Sequence, residues 1–428
     1  MKTALYWFRY DLRLADNPGW TQLTATQDSA LGVFVLPQQW FRQGRYQCKG
    51  IDRHRLVFLL ESLRDLREQL RQVGSDLVVL QGDPVNEVVA LAQRLNVGAV
   101  AVGDHPGSDE SDQVARVKAE LDVPLYISEN FTLFDRAELP FALADLPDVF
   151  SQFRKLVERR PPTRALPIAP PLRTRVVLGN VHCELDSLCT RFAHSNEEQP
   201  SNSLHFSGGT RAGMQQLDYF LFESHLIANY KQTRNQLDGW DFSSKLSPWL
   251  AFGCLSARQV VESIRKYEST HQANESTYWL YFEILWREYF QWLAYRAGKK
   301  LFSLRGIQNK NPLLSFYPNE FMAWCYGNTA SDFVNAFMRQ LLNTGWMSNR
   351  GRQIVASYLI NELGVDWRYG AAWFEQQLID YDVAANWGNW QYLAGVGTDP
   401  RGRRHFNIEK QQQTHDPDLT FTHRWMQS

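Results

Sequence analysis

The hydrophobic period of this chain changes near residue 208, and that change decides what it can fold into. Up to about residue 130, short β-rich runs at 3–8, 31–36, 76–80, 99–102 and 124–127 alternate with helical patterns. One of those patterns repeats Leu56, Leu59, Leu60, Leu63, Leu66, Leu70 and Val73 at three- and four-residue spacing, and Gly74 supplies its stop. Strands that alternate with helices predict an α/β unit built on a parallel, Rossmann-like sheet. The first strand is followed by residues 9–18, Arg-Tyr-Asp-Leu-Arg-Leu-Ala-Asp-Asn-Pro, and not by G-x-G-x-x-G, so the ordinary dinucleotide loop is absent. From Gly208 onward strand signals fade. Windows over 210–229, 256–267, 277–296, 329–342, 350–363 and 369–379 carry the helical period, which predicts an all-α second half. Residues 159–203 are rich in Pro, Arg and Ser and read as a surface connector. The expected organisation is an α/β domain over 1–130, a connector over 131–203 and a helical domain over 204–428.

A chain of 428 residues exceeds one ordinary core. Its net charge of −1 gives no whole-molecule pull on nucleic acid, so any basic site has to be local. Five cysteines without a CxxC pair read as reduced thiols, with neither a disulfide frame nor a metal site expected. No apolar run reaches ~18 residues and no signal peptide opens the chain, so a cytoplasmic protein with no membrane span is expected. Twelve of the 15 tryptophans lie from Trp240 onward, so the second half is built differently from the first, and filling of a large helical core accounts for most of these positions.

Four stretches carry chemistry. Between Ile379 and Tyr392 stand Asp380, Asp382, Asn386 and Asn389 among aromatics, and buried carboxylates and amides survive only when hydrogen-bonded. A flat heteroaromatic guest with ring N–H and ribose hydroxyls would satisfy them; a helix–helix turn capped by the same Asp and Asn would also use them. Asp380 is expected to neutralise Arg287. Helical spacing puts Glu283, Trp286 and Arg287 on one face, which suits either a structural i, i+4 ion pair or a catalytic acid beside an aromatic platform. Asn349, Arg350 and Arg352 open a helix where anions or base edges are well met. With Arg234, Arg401 and Arg403 they could form a local basic face for nucleic acid, although any single one reads equally as solvated charge. Ser243, Ser244, Lys245, Leu246 and Ser247 form a Ser-rich turn before a helix, suited to a pyrophosphate or to a plain cap.

Together these motifs resemble the photolyase/cryptochrome family over nearly the whole chain. The fit is to the DASH cryptochromes, on Tyr230-Lys231-Gln232-Thr233-Arg234-Asn235, Ser243-Ser244-Lys245-Leu246-Ser247-Pro248, Met347-Ser348-Asn349-Arg350-Gly351-Arg352-Gln353 and Asn386-Trp387-Gly388-Asn389-Trp390. The resemblance implies an antenna-type α/β domain followed by an all-α domain that holds FAD. It places Tyr230, Ser243, Ser244, Lys245, Leu246 and Ser247 at the cofactor phosphates. Arg287, Asp380, Asp382 and Asn386 fall at the flavin ring and ribose, Glu283 at the carboxylate that hydrogen-bonds the damaged bases, and Asn349 and Arg350 between flavin and lesion, with Glu283 and Asn349 also bordering the cofactor. Glu283, Trp286, Asn349, Arg350, Gln353 and Tyr392 then carry repair of cyclobutane pyrimidine dimers by an electron from light-excited reduced FAD. Gln353 stands where dimer photolyases carry Met, and Tyr392 where they carry a second Trp, which implies single-stranded DNA as the preferred substrate, with RNA as a further partner. Trp390 and Trp367 match the first two members of the family's electron-transfer chain; the third position is Leu314, with Tyr317 or Trp324 as substitutes. Glu110 lies near the place where DASH members bind the antenna 5,10-methenyltetrahydrofolate. The alternative reading is a blue-light sensor that shares every flavin-binding residue but performs little repair. A monomer would suffice for either, and the sequence leaves the oligomeric state open.

Overall fold

The computed structural model describes residues 3–176, 182–193, 206–399, 402 and 404–427. Five strands form one sheet: β1 Ala4–Trp7, β2 Ala30–Pro37, β3 Leu77–Gly82, β4 Val100–Gly103 and β5 Leu125–Ser128. Every pairing is parallel and the spatial order is β3-β2-β1-β4-β5. Connections α1 (Pro18–Thr26), α2 (Arg53–Gln72), α3 (Pro84–Arg94) and α4 (Ser108–Glu120) cover both faces. Residues on β1 alternate between two cores. Leu5 and Trp7 pack with Val85, Val88, Leu91 and Val117 of α3 and α4, whereas Tyr6 and Phe8 face Leu59, Leu63 and Leu66 of α2 and join the core of the helical half. The chain runs from β1 outward to β3 and then returns to place β4 on the other side of β1. Parallel sheets open a crevice beyond the strand ends at that reversal.

The segment after the sheet carries α5 (Phe150–Val157), and the expected connector also holds α6 (Leu185–Ala193). The latter is not draped loop: Leu185 and Leu188 are buried, and Glu184 N donates to Val79 O at 2.8 Å. The helical half comprises α7 Thr210–Asp218, α8 Tyr230–Thr233, α9 Ser247–Ala251, α10 Ala257–Thr270, α11 Glu275–Ala297 and α12 Pro318–Cys325. It continues with α13 Asp332–Thr344, α14 Asn349–Asn361, α15 Trp367–Gln377, α16 Val383–Ala394, α17 Ile408–His415 and α18 Thr420–Met426. The helix expected over 210–229 ends instead at Asp218. A wide turn follows, and His225 adopts φ 54°, a left-handed conformation that no continuous helix accommodates.

Two helices position the site. α11 starts at Asn274, whose carboxamide oxygen accepts from Ser276 N and Thr277 N. α16 starts at Asp382, whose carboxylate accepts from Ala385 N at 2.9 Å. They cross closely because Gly388 has no side chain: a Cβ there would lie 2.4 Å from the Phe290 ring. Among the described residues no helix is long and apolar enough to cross a membrane.

Candidate functional site: two cavities

Helices α11, α14 and α16 and the 242–247 turn enclose an inner cavity of about 480 Å³, continuous in its lining with a smaller one of about 140 Å³. The first is lined by Tyr230, Arg234, Ser243 to Ser247, Glu283, Trp286, Arg287, Asn349, Arg352, Gln353, Asp380, Asp382 and Tyr392. Asn386 and Trp390 line the second. Residues more than 150 positions apart thus meet at one cavity, which a set of independent helix caps would not require.

The polar groups on its walls are only partly paired. Arg352 donates from Nη2 to Asp380 Oδ2 at 2.8 Å and from Nε to Met347 O at 2.9 Å, while Asp380 Oδ1 is buried without a partner. Asp382 receives Gln291 Nε2 at 2.7 Å as well as Ala385 N. Arg287 donates to Phe131 O at 2.8 Å and lies 3.6 Å from Asp382, and its Nε is buried and unpartnered. Asn386 donates to Ala371 O at 3.0 Å, which fixes its carboxamide against α15. Lys245 has φ 56° and is 2% exposed; its Nζ lies 3.6 Å from the ring centroids of both Phe242 and Trp346 and has no hydrogen-bond partner. Burial pushes this amine down to about 6.

Several expectations change here. Asp380 neutralises Arg352, not Arg287, because the guanidinium one helix turn into α14 reaches it first. Arg352 is therefore committed inside the cavity and is not a surface phosphate contact. Glu283 and Arg287, four residues apart on α11, do not pair. Glu283 binds Arg234 at 2.5 Å, and Arg287 turns to Phe131 O and Asp382. Burial holds the Glu283 carboxyl above its usual range, with Arg234 opposing the shift. Arg350 donates to Gln353 Oε1 at 3.1 Å and to Asn235 Oδ1 at 3.4 Å, beside exposed Asn349. Trp286 is backed by Phe150 in a flat stack, 3.7 Å between centroids and 13° between planes, and meets Tyr392 edge-on at 6.3 Å. The Tyr392 hydroxyl accepts from Arg404 Nη2 at 2.5 Å, and Arg404 is in turn held by Asp399. Arg401 and Arg403 lie outside the described residues.

Trp390 contacts Trp324 edge-on at 6.2 Å, and Trp324 is fully buried. Trp367, also fully buried, donates to Leu304 O at 3.2 Å and meets Trp387 at 5.8 Å. Leu314 is half-buried and Tyr317 is 50% exposed. Two residues at the site escaped the sequence reading, Gln291 and Phe150, while Arg404, which the sequence offers as part of a basic face, is instead committed to Tyr392 and Asp399. For Gln291 a signal existed, since it follows Arg287 by four residues on the same helical face.

A second, outer cavity of about 660 Å³ opens at the strand reversal, between the sheet and α15–α16, lined by Arg9, Glu110, Glu375, Tyr381, Trp387 and others. Arg9 donates to Glu110 O at 2.9 Å and Gly103 O at 2.6 Å. Burial pushes the Glu110 carboxyl up, but His105, 3.7 Å away, and Arg9 outweigh it and hold it at about 2. Burial pushes Glu375 up to about 7, against Arg55 and the Tyr381 hydroxyl. Tyr381 lines both the outer cavity and the smaller inner one.

The family model described as FAD binding domain of DNA photolyase matches residues 279–428, and the one described as DNA photolyase matches residues 4–171. A cryptochrome DASH of Idiomarina loihiensis is 45% identical over 99% of this chain and 92% of its own length. Among solved structures, a cryptochrome of Synechocystis sp. PCC6803 superposes with TM-score 0.90 at 36% identity, covering 99% of this chain and 88% of that one. An archaeal photolyase from Sulfolobus tokodaii, solved with two FAD molecules, gives TM-score 0.79 at 27% identity over 99% of this chain and 90% of its own.

Proposed function

The chain belongs to the photolyase/cryptochrome family, and within it to the DASH cryptochromes, and from that premise we propose a blue-light-driven lyase that opens cyclobutane pyrimidine dimers, chiefly in single-stranded DNA, with FAD in the inner cavity. The observation that carries the reading is Glu283: a carboxyl at the mouth of a cofactor-sized cavity, beside Trp286, Asn349 and Arg350, held by a single arginine. A pure sensor has no use for that group.

The donor set fits FAD. Asp380 Oδ1 and Arg287 Nε are buried with open hydrogen-bonding capacity toward a guest, and the serine hydroxyls with Lys245 supply donors suited to a pyrophosphate. When bound, reduced and excited by blue light, the cofactor supplies one electron and takes it back. The protein's own part is positional. With the cofactor bound, Asp380, held by Arg352, and Asp382, held by Gln291, would accept from its N–H and ribose donors, and Asn386, its amide nitrogen held by Ala371 O, would offer it the carboxamide oxygen. Glu283, held by Arg234, meets the base edges of the dimer, Asn349 and Arg350 hold its other side, and Trp286 gives it an apolar wall. Two C–C bonds of the cyclobutane break and two pyrimidines leave, with no net redox change. Gln353 and Tyr392 make the pocket more polar than a Met–Trp pair would, which lowers the gain from drawing a dimer out of duplex and favours single strands. Trp390 and Trp367 serve as electron relays for cofactor reduction.

For the outer cavity we propose 5,10-methenyltetrahydrofolate as antenna. Glu110 and Glu375 offer two half-buried carboxyls to a heterocycle rich in N–H donors, and Lys49 and Lys299 at the rim suit an anionic tail.

The test is blue-light repair of a thymine dimer in a single-stranded oligonucleotide and in the matching duplex, with the flavin fully reduced. Repair confined to the single strand is expected. No repair of either substrate by flavin-loaded protein would overturn the lyase and leave blue-light sensing as the function.

A further inference from the structure

The connector that follows the sheet is the most basic part of the molecule. Residues 154–175 hold seven Lys and Arg against one acidic residue, Glu158, in a chain of net charge −1. Lys155, Arg159 and Arg160 are exposed, and none of them forms an ion pair among the described residues. That contrasts with the neighbouring cations: Arg154 is tied to Glu158 at 3.3 Å, and Arg265 to Glu268 at 2.7 Å. Unpaired like charges crowded on one short helix end repel each other, and a polyanion would relieve that repulsion.

Their place matters more than their number. Arg154 sits over the Phe282 ring at 5.5 Å, and Tyr278 donates to Glu158 at 2.9 Å, so the end of α5 is fastened to the first turns of α11. Phe282 lines the inner cavity and packs on Trp279 at 5.0 Å; Lys231 and Arg234 lie 5.1 and 5.5 Å from the Trp279 ring. Arg234 then reaches Glu283. Contacts between cations and rings therefore run from Glu283 through Arg234, Trp279, Phe282 and Arg154 to Glu158, the residue that precedes the exposed Arg159 and Arg160. A single strand asks for that combination, since its backbone follows positive charge and its bases stack on rings of any sequence.

We infer that Lys155, Arg159 and Arg160, with Tyr278 and Trp279, form a track for the nucleotides that flank the base bound at Glu283, so that the connector is part of the nucleic-acid surface. The inference rests on the proposal that the substrate is a nucleic-acid strand. It adds a second surface to Arg234 and Arg350, on a different segment of the chain.

The experiment measures binding of a fluorescent oligo-dT by flavin-loaded protein across a salt series. Wild type is compared with the triple variant Lys155→Ala/Arg159→Ala/Arg160→Ala and with Arg173→Ala/Arg175→Ala, a control on the sheet side, where Arg173 meets Asp28. With a single-strand slope of about −0.7 per phosphate neutralised, losing three contacts should reduce the log–log salt slope by about 2 and weaken low-salt binding by at least about tenfold. The control should match wild type. A triple variant with wild-type affinity and slope, or a control that loses as much, overturns the track. A wild type that binds no oligonucleotide overturns the nucleic-acid reading beneath it.

Discussion

Replacing Asp380 by Asn separates the two tasks that the structure gives this carboxylate. Oδ2 receives Arg352 at 2.8 Å, and Oδ1 is buried with no partner, on the cavity side. The side chain is 2% exposed and Arg352 25%. Breaking a fully buried pair by removing one charge costs about 3–5 kcal/mol. Arg352 keeps its bond to Met347 O and is a quarter solvated, so about 2 kcal/mol is the expected loss of stability in the cofactor-free protein. A second loss appears only when FAD binds. A carboxylate that accepts a hydrogen bond from the guest contributes about 1.5–3 kcal/mol when charged, so the apparent flavin affinity should fall by about ten- to a hundredfold. Urea titration of the cofactor-free variant reads the first quantity, and release of flavin fluorescence on dilution reads the second. Arg352→Met is the companion: it should reproduce most of the stability loss while leaving Oδ1 to the guest. An Asp380→Asn protein that retains FAD as tightly as wild type would refute the assignment of Oδ1 as a cofactor acceptor, however large its stability loss.

Glu283→Ala should keep its flavin and lose repair by about 10²-fold or more, since the change removes the one carboxyl at the cavity mouth and touches none of the groups on the flavin side. Light-dependent dimer splitting per bound flavin is the measurement, and undiminished splitting would remove Glu283 from the site. Glu375→Gln tests the outer cavity through stability. In the folded protein this carboxyl is raised from 4.5 to about 7, so the fold is most stable where both states are protonated, below about pH 4.5. It loses that advantage as pH rises through 7. Because the group faces a cavity open to solvent, the loss is about 2 kcal/mol between pH 5 and 8, and the Gln variant should not show it. Urea midpoints at the two pH values decide it; equal pH dependence in the two proteins would refute the assignment.

The change of period between the sheet and the helical half was legible because it is local. A parallel strand buried on both faces writes itself as a short apolar run, and α2 as a seven-residue apolar stripe, with no help from distant residues. What the sequence could not show was partner choice. Glu283 and Arg287 have the spacing of a helix ion pair, and Asp380 lies close in sequence to the other acidic groups of the site. Yet Arg234, from a segment 49 residues upstream, takes Glu283, and Arg352 takes Asp380. Spacing establishes only that two groups can meet. Which pair forms depends on what else each guanidinium finds, and Arg287 finds the backbone carbonyl of Phe131, 156 residues away. The outer cavity is invisible for the same reason: its walls come from β1, the loop after β2, the start of α4 and the α15–α16 turn, and none of these segments looks like a site alone.

A net charge of −1 leaves open only a local basic face. A value of −1 argues against nucleic acid only if charge is spread evenly, and here it is not. The acidic residues are largely consumed in ion pairs and caps: Asp65 by Arg211 and Thr210 N, Glu268 by Arg265, Asp416 by Phe421 N and Thr422 N. On the connector Lys155, Arg159 and Arg160 form no such pair among the described residues. Electrostatic attraction for a strand follows the charge left unpaired within about a Debye length of the site, about 8–10 Å, and not the sum over the molecule. Beside the inner cavity Arg234 is matched by Glu283, whereas Arg350 bonds the neutral side chains of Gln353 and Asn235, so its charge is not cancelled by either partner. That residual charge lies next to the carboxyl proposed to meet the base, so the field that draws a strand and the group that reads it are on the same side of the cavity.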